Sequence, residues 1–178
     1  MAQEVAIVGQ GLPYYSAAAS FQLSATPTDF FTITGASDRL VFVRKFVFTM
    51  NFAALNQPSV SVIRRTTANT GGTSTVRQGV LHAYPGGLGA PQAAAAVVRS
   101  YTVEPAVLGA VTAPLGGTLR TLTRFVDTAA AGGGGLPVWE FDFSAEPVLL
   151  RSASDVLALN ATAAASGYVE GWVEWQER

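Results

Sequence analysis

Apolar residues recur at every second position in several short segments of this chain, which is the spacing of a β-strand with one buried face. The clearest case is Val138–Phe143, where three aromatic residues alternate with two acidic ones. No segment from Asp29 onward carries a sustained helical stripe of apolar residues. Short strands separated by Gly, Pro, Ser and Thr predict an all-β protein with an antiparallel sandwich or barrel.

The remaining strands of the domain are predicted from β-branched and aromatic runs. They are Phe30–Thr34, Leu40–Asn51, Ser59–Thr66, Ala96–Val103, Thr118–Asp127, Val148–Arg151, Asp155–Asn160 and Tyr168–Gln176. The first half of Leu40–Asn51 is apolar at odd and even positions, so both of its faces are predicted to be buried there. Segments 66–75 and 84–89 are predicted to be exposed loops, and 129–135 a flexible connection.

Residues 1–28 differ from the rest of the chain, since they are rich in Ala, Ser, Gln and Pro and have little regular period. They predict an extended N-terminal arm, within which Val5–Val8 is a strand candidate. Residues 29–178 then form one β-sandwich domain.

The segment EVAIVGQG, residues 4–11, poses an alternative, because an apolar strand followed by Gly-x-Gly opens many dinucleotide-binding domains. The third glycine of that motif is replaced by Tyr14, although the helix must pack closely there. Asp29 has the spacing of the ribose-binding acid, but it precedes an apolar strand. No later segment supplies the alternating helices of a parallel sheet. An arm or a short strand with a glycine turn is therefore predicted, and no cofactor.

Charged residues make up 13% of the chain, against about 25% in a usual soluble domain. The net charge of −1 offers no basic surface for nucleic acid, and no apolar run is long enough to predict a membrane span. The absence of cysteine excludes disulfides. Because 49% of residues are hydrophobic, we expect a homo-oligomer whose surface is partly covered by other subunits. The alternative is a monomer with a neutral surface rich in Ala, Thr and Ser.

The sequence predicts no catalytic residue and no metal ligand. His82 is the only histidine, and without a Gly-x-Ser-x-Gly elbow or a metal-binding partner it is interpreted as a structural or surface residue. Glu140 and Asp142 lie two residues apart on one strand face. Glycosidases use two carboxylates, so a carbohydrate-active enzyme is one alternative. The other interpretation of this pair is the wet face of a half-exposed strand.

Aromatic residues and arginines are the candidates for contacts with partners, as ring anchors and as ligands of acidic groups. Trp172 is predicted to lie on the face of the last strand opposite to Trp175, which is assigned to the core. For the arginines, ion pairs within the domain are the alternative. The predicted interface residues are Tyr14, Tyr15, Phe21, Arg64, Arg65 and Trp172.

Three stretches together resemble small structural proteins of tailed-bacteriophage virions, which decorate or cement the capsid or belong to tails and fibres. They are ITGASDRLVFVRKFVF, VIRRTTANTGGTST and EPVLLRSASDVLALNATAAASGYVEGWVEWQER, and the resemblance covers residues 29–178. It implies a jelly-roll β-sandwich, often trimeric, without enzyme activity. No site residue carries over, because the resemblance contains no functional motif.

Residues and resemblance together lead to one expected function. The chain is expected to be a capsid decoration or cement protein, made in the host bacterial cytoplasm and placed on the virion surface as a homotrimer. Its partner would be the major capsid protein lattice, bound through many weak contacts at once, and residues 1–28 would contact the shell or a neighbouring copy. The alternative is a tail or fibre domain that binds host-surface glycans through exposed aromatics, with segments 66–75 and 129–135 at the binding end.

Overall fold

The computed structural model describes residues 11–23, 28–52, 59–83, 92–123, 138–161 and 167–178, and these residues form twelve β-strands and no helix. In chain order the strands are β1 (Tyr14–Leu23), β2 (Asp29–Thr34), β3 (Val41–Phe52), β4 (Ser59–Arg65), β5 (Thr73–Arg77), β6 (Val80–Ala83), β7 (Val97–Val103), β8 (Gly117–Thr123), β9 (Val138–Asp142), β10 (Val148–Leu150), β11 (Val156–Ala161) and β12 (Gly167–Glu177). They make two antiparallel sheets packed as a sandwich, which confirms that the chain is an all-β sandwich.

The two sheets have different strand orders. The first sheet runs β10-β3-β12-β1-β6, and β9 pairs with β3 beside β10. The second sheet runs β5-β7-β2-β11-β4-β8. In the first sheet the central strand β12 therefore lies between strands from the early part of the chain.

The core between the sheets is built from the alternating positions that the sequence indicates. In β9, Trp139 and Phe141 are buried, while Glu140 and Asp142 are exposed. Trp175 of β12 is fully buried, as predicted. The second sheet contributes mainly aliphatic side chains, namely Ile33, Val60, Val62, Val98, Leu157 and Leu159.

A β-bulge in β3 explains its mixed pattern of apolar positions. The register against β12 shifts between Glu174 and Trp175, which pair with Lys45 and Val43. Because a bulge adds one residue to one strand, it changes which side of the strand faces the core. The core-facing positions are accordingly odd before the bulge and even after it, at Val41, Val43, Phe46, Phe48 and Met50, and Val47 on the opposite face is buried as well. The prediction that both faces are buried in the first half was wrong, because only the core-facing residues are fully buried there.

The predicted N-terminal arm is not confirmed. Residues 14–23 form β1, which pairs with β12 along its whole length and with β6 at its start. The side chains of its core face are buried, at Tyr15, Ala17, Ala19 and Phe21. Two of these four are alanines, so the apolar and polar positions of β1 differ little in hydrophobicity. The sequence of this strand therefore looks like that of an irregular segment. Residues 1–10, and with them the strand candidate Val5–Val8, lie outside the described residues.

The predicted loop at residues 66–75 is partly a strand. Gly71 and Gly72 make a turn with φ of 72° and 73°, which glycine adopts readily, and β5 begins directly after them. β5 is an edge strand with mostly exposed side chains, so its sequence lacks the apolar alternation of a core strand. The predicted loop 84–89, the connection 129–135 and residues 124–127 of a predicted strand lie outside the described residues.

Candidate interaction surface

Half of the exposed large apolar side chains of the described residues lie in one stretch, residues 103–119, here called the apolar segment. Six side chains in it are 39% to 63% exposed: Val103, Val107, Leu108, Val111, Leu115 and Leu119. Its only charged residue is Glu104. Because large exposed apolar surface often marks a site that binds another macromolecule, this segment is a candidate for such a site.

The backbone of the apolar segment is fixed by hydrogen bonds to residues 66–70. The amide of Thr66 donates to the carbonyl of Ala110 over 2.8 Å. Thr70 and Val107 exchange two backbone hydrogen bonds, of 2.9 and 3.1 Å. These bonds hold the first half of the apolar segment, and its end is held by β8, where Gly117 and Thr118 pair with β4.

A buried polar cluster around Asp29 ties this region to the sandwich. The fully buried carboxylate of Asp29 accepts two bonds from Arg65, at 2.5 and 2.7 Å, and one each from Asn69 and Asn160, at 2.9 and 2.8 Å. Arg65 also donates to the carbonyl of Gly109 in the apolar segment, over 2.8 Å. Asp29 is thus a structural anion whose bonds link β2, β4 and β11 to the apolar segment.

Neither predicted arginine is available as a free interface cation. Arg65 is buried in the ion pair with Asp29. Arg64 donates to Asp155 over 3.1 Å, and both side chains of this pair are mostly buried. The geometry therefore favours the alternative interpretation, ion pairs within the domain, because a cation already paired with an acid gains little from a second one.

The predicted aromatic anchors divide between core and surface. Tyr15 is buried and stacks on Trp175, with ring centroids 5.7 Å apart. Phe21 is also buried, so these two rings cannot meet a partner without leaving the core. Tyr14 is half-buried, and Trp172 is 40% exposed on the outer face of the first sheet.

Glu174 holds the two surface aromatics together. One of its carboxylate oxygens accepts the indole N–H of Trp172 over 2.8 Å, and the other accepts the hydroxyl of Tyr14. The three residues lie side by side on β1 and β12. The orientation of the exposed indole is therefore set by a hydrogen bond as well as by its strand.

The pKa of Tyr14 provides a test of this contact. Partial burial raises the pKa of its phenol from the ordinary 10 to about 12, and the bond to Glu174 contributes in the same direction. Between these values the folded chain keeps a proton that the unfolded chain has lost, so this contribution to stability is full below pH 10 and declines towards pH 12. Tyr14→Phe removes the titration.

We therefore expect the stability difference between Tyr14→Phe and the parent to move in the variant's favour as pH rises from 10 towards 12. Denaturant titrations at several pH values in this interval measure that difference. A difference that stays constant with pH would contradict the assignment.

His82 contacts a hydroxyl but not an acid. Its Nε2 lies 2.5 Å from Oγ of Ser16, and the ring of Tyr14 meets it edge-on at 6.2 Å. Among the described residues no carboxylate bonds the imidazole to orient it, as the base of a catalytic triad requires. The ring is exposed, in agreement with its interpretation as a surface residue.

Each carboxylate of β9 has a polar partner within the domain. Lys45 lies 2.6 Å from Glu140, and this hydrogen bond raises the pKa of the lysine. Hydrogen bonds from Ser144 lower the pKa of Asp142. A glycosidase needs one carboxyl group whose pKa is raised so that it can donate a proton, and the lowered pKa of Asp142 is the opposite of this requirement.

A groove of about 450 Å³ lies on the second sheet beside residues 66–75. Its lining includes Asn69, Ser74, Arg99 and Tyr101. The ring of Tyr101 is buried, and Arg99 donates to Ser74 over 3.2 Å. Among the described residues that line this groove, the only aromatic ring is therefore buried and is not an exposed ring of the kind that the glycan-binding alternative requires.

Comparison with protein-family models, curated proteins and solved structures found no match for the chain. The resemblance to phage virion proteins therefore stays a prediction. In the part of the chain that the structure describes, no group of three or more His, Asp or Glu side chains is placed to hold a metal ion. The same residues include no helix long and apolar enough to cross a membrane.

Proposed function

We propose that the chain is a non-enzymatic structural protein of a bacteriophage virion, which decorates or cements the capsid as a trimer. The observation that carries this proposal is the apolar segment, where six exposed apolar side chains stand on a fixed backbone beside one charged residue. Burying one Val or Leu side chain contributes about 1.5–3 kcal/mol. A few such contacts per copy, repeated over a lattice of capsid subunits, give durable attachment through avidity.

The strand order supports the jelly-roll form of the sandwich as part of this proposal. Consecutive strands alternate between the sheets from β1 to β4, and again from β8 to β12 when β9 and β10 are counted as one edge. The quartets β1-β12-β3-β9/β10 and β2-β11-β4-β8 then correspond to the two four-stranded sheets of a jelly roll, a fold used in viral capsid and lectin domains. Strands β5, β6 and β7 form an insertion that extends the edges of both sheets.

The experiment adds purified protein to undecorated capsids of the phage and measures how the capsid melting temperature changes. We expect a rise, because a ligand that binds only the intact shell stabilises it. The double variant Val107→Ser with Leu115→Ser removes two exposed apolar contacts and is expected to weaken binding by about tenfold or more per side chain.

The matched control is Val138→Ser, which changes an equally exposed valine on the first sheet. It should bind capsids as the parent does. Unchanged capsid melting with the parent protein, or equal binding by the double variant and the control, would speak against the proposed surface.

A further inference from the structure

A groove of about 590 Å³ crosses the outer face of the first sheet over β1, β12 and β3. Trp172 forms one wall, and Glu170, Thr49, Ser20 and Arg77 line the rest. This volume is within the range of about 300–1,000 Å³ that is common for small-molecule sites. The groove is separate from the apolar segment, which belongs to the connection and strand following β7 in the second sheet.

The register of the sheet explains why a groove forms here. Ala18 pairs with Trp172, and Ser20 pairs with Glu170, which in turn pairs with Thr49. On the outer face, therefore, the large indole has a methyl group as its neighbour on β1. Small side chains beside a large ring leave the ring face open to a ligand.

The polar groups of the groove are available to a ligand. The carboxylate of Glu170 and the hydroxyl of Thr49 have no hydrogen-bond partner among the described residues. Within the described part of the chain Arg77 bonds through Nε alone, which donates to Ser100 over 2.9 Å, so its two terminal nitrogens keep their donors with respect to these residues. The groove thus presents an acceptor, several donors and a hydroxyl around one aromatic ring.

A second exposed ring lies on the same strand face. Tyr168 is 48% exposed, and its hydroxyl accepts a 2.7 Å bond from Ser20. It lies four residues before Trp172, which corresponds to about 13 Å along an extended strand. Glu170 stands midway between the two rings. A ligand with more than one ring could therefore contact both aromatics and the carboxylate at once.

We propose that this groove binds a neutral oligosaccharide. The C–H groups on one face of a pyranose carry partial positive charge and are attracted to the negative face of an indole. Its hydroxyls both donate and accept, so they match the carboxylate of Glu170 and the guanidinium of Arg77 at once. Because these two side chains have opposite charges, the groove has no net charge to favour an anionic or a cationic ligand.

A second copy of the chain fits this groove less well. A stable protein contact needs a broad, apolar and closely packed surface. Here one large ring is surrounded by unpaired polar groups, which such a contact would bury without partners. The mixture of a ring face and convergent polar groups is what a small polyhydroxylated ligand requires.

The test applies the full chain to a printed array of neutral mono- to hexasaccharides of glucose, galactose, mannose and N-acetylglucosamine, followed by calorimetric titration of the sugars that bind. We expect at least one oligosaccharide to bind. Trp172→Ala should weaken that binding by about tenfold or more, since aromatic anchors dominate such contacts. Glu170→Gln keeps the shape of the side chain and should weaken binding as well.

Val138→Ala is the control, because this exposed residue lies on the outer strand β9, pairs with Thr49 and does not line the groove. Circular dichroism verifies that each variant is folded. Absence of binding to every sugar on the array would overturn the proposal, as would equal affinities of the parent, Trp172→Ala and Glu170→Gln. Capsid attachment is a separate readout: Trp172→Ala should retain it, and the Val107→Ser, Leu115→Ser variant should retain sugar binding.

Discussion

Asp29→Ala is expected to lower the free energy of unfolding by about 3–5 kcal/mol, because it leaves the guanidinium of Arg65 buried without its anion. The carboxylate of Asp29 is fully buried and receives two bonds from Arg65 and one each from Asn69 and Asn160. The loss of these acceptors should therefore appear as a lower free energy of unfolding.

Urea or guanidinium titration of the parent and the variant measures this loss. Asp38→Ala is the matched control, since Asp38 is 66% exposed in its side chain and lies 3.8 Å from Arg39. An exposed pair at this distance contributes about 0–1 kcal/mol. If Asp29→Ala proved as mild as the control, the buried cluster would not be a determinant of stability.

A companion double variant separates the buried charge from the lost hydrogen bonds. Replacing Asp29 by Asn and Arg65 by Met together removes both charges, and a buried ion pair replaced by neutral groups often costs little. We expect the double variant to be more stable than Asp29→Ala. The same titration reports it.

Glu177→Ala should also lower the free energy of unfolding by about 3–5 kcal/mol. It leaves several buried donors without an acceptor, and each such donor costs about 1–3 kcal/mol. The carboxylate of Glu177 is 2% exposed. It accepts the amides of Ala95 and Ala96, the indole N–H of Trp175 and a guanidinium N–H of Arg39, at 2.8 to 3.1 Å. A single side chain of β12 thus fixes the chain that leads into β7.

The control for this change is Glu170→Ala, a glutamate on the same strand whose carboxylate is exposed and makes no bond to a described residue. It should leave the unfolding free energy within about 0.5 kcal/mol of the parent, as surface substitutions usually do. Comparable losses for Glu177→Ala and Glu170→Ala would show that the buried carboxylate does not organise this region.

Much of the fold could be predicted because the apolar residues of several strands alternate regularly and so indicate which face is buried. Val138–Asp142 and Gly167–Glu177 alternate large apolar and polar residues, and both lie as the pattern indicates. β1 was missed because alanines occupy half of its core positions, which gives its buried face a weak apolar signal. β5 was missed because an exposed edge strand needs few apolar residues.

The interaction surface was harder to predict, because the type of a residue does not determine whether its side chain is exposed. Arg64 and Arg65 look like interface cations in the sequence, but folding brings them to Asp155 and Asp29. The apolar segment gave no signal either, because a run of Val, Leu, Ala and Gly is also what a core connection contains. Only Trp172 could be assigned to the surface, from its position opposite the buried Trp175.

The position of β12 in the first sheet bears on how the chain is made. Its two neighbours, β1 and β3, are synthesised long before it, and in this sheet they are joined only through β12. Until the ribosome has delivered β12, both strands present unpaired amides and carbonyls, which is the condition under which chains pair with the wrong partner. We therefore expect this sheet to form only after β12 has been synthesised, and slowly, as sequences dominated by distant strand pairings do, so that the yield in a cell depends on the time that nascent chains spend apart from one another.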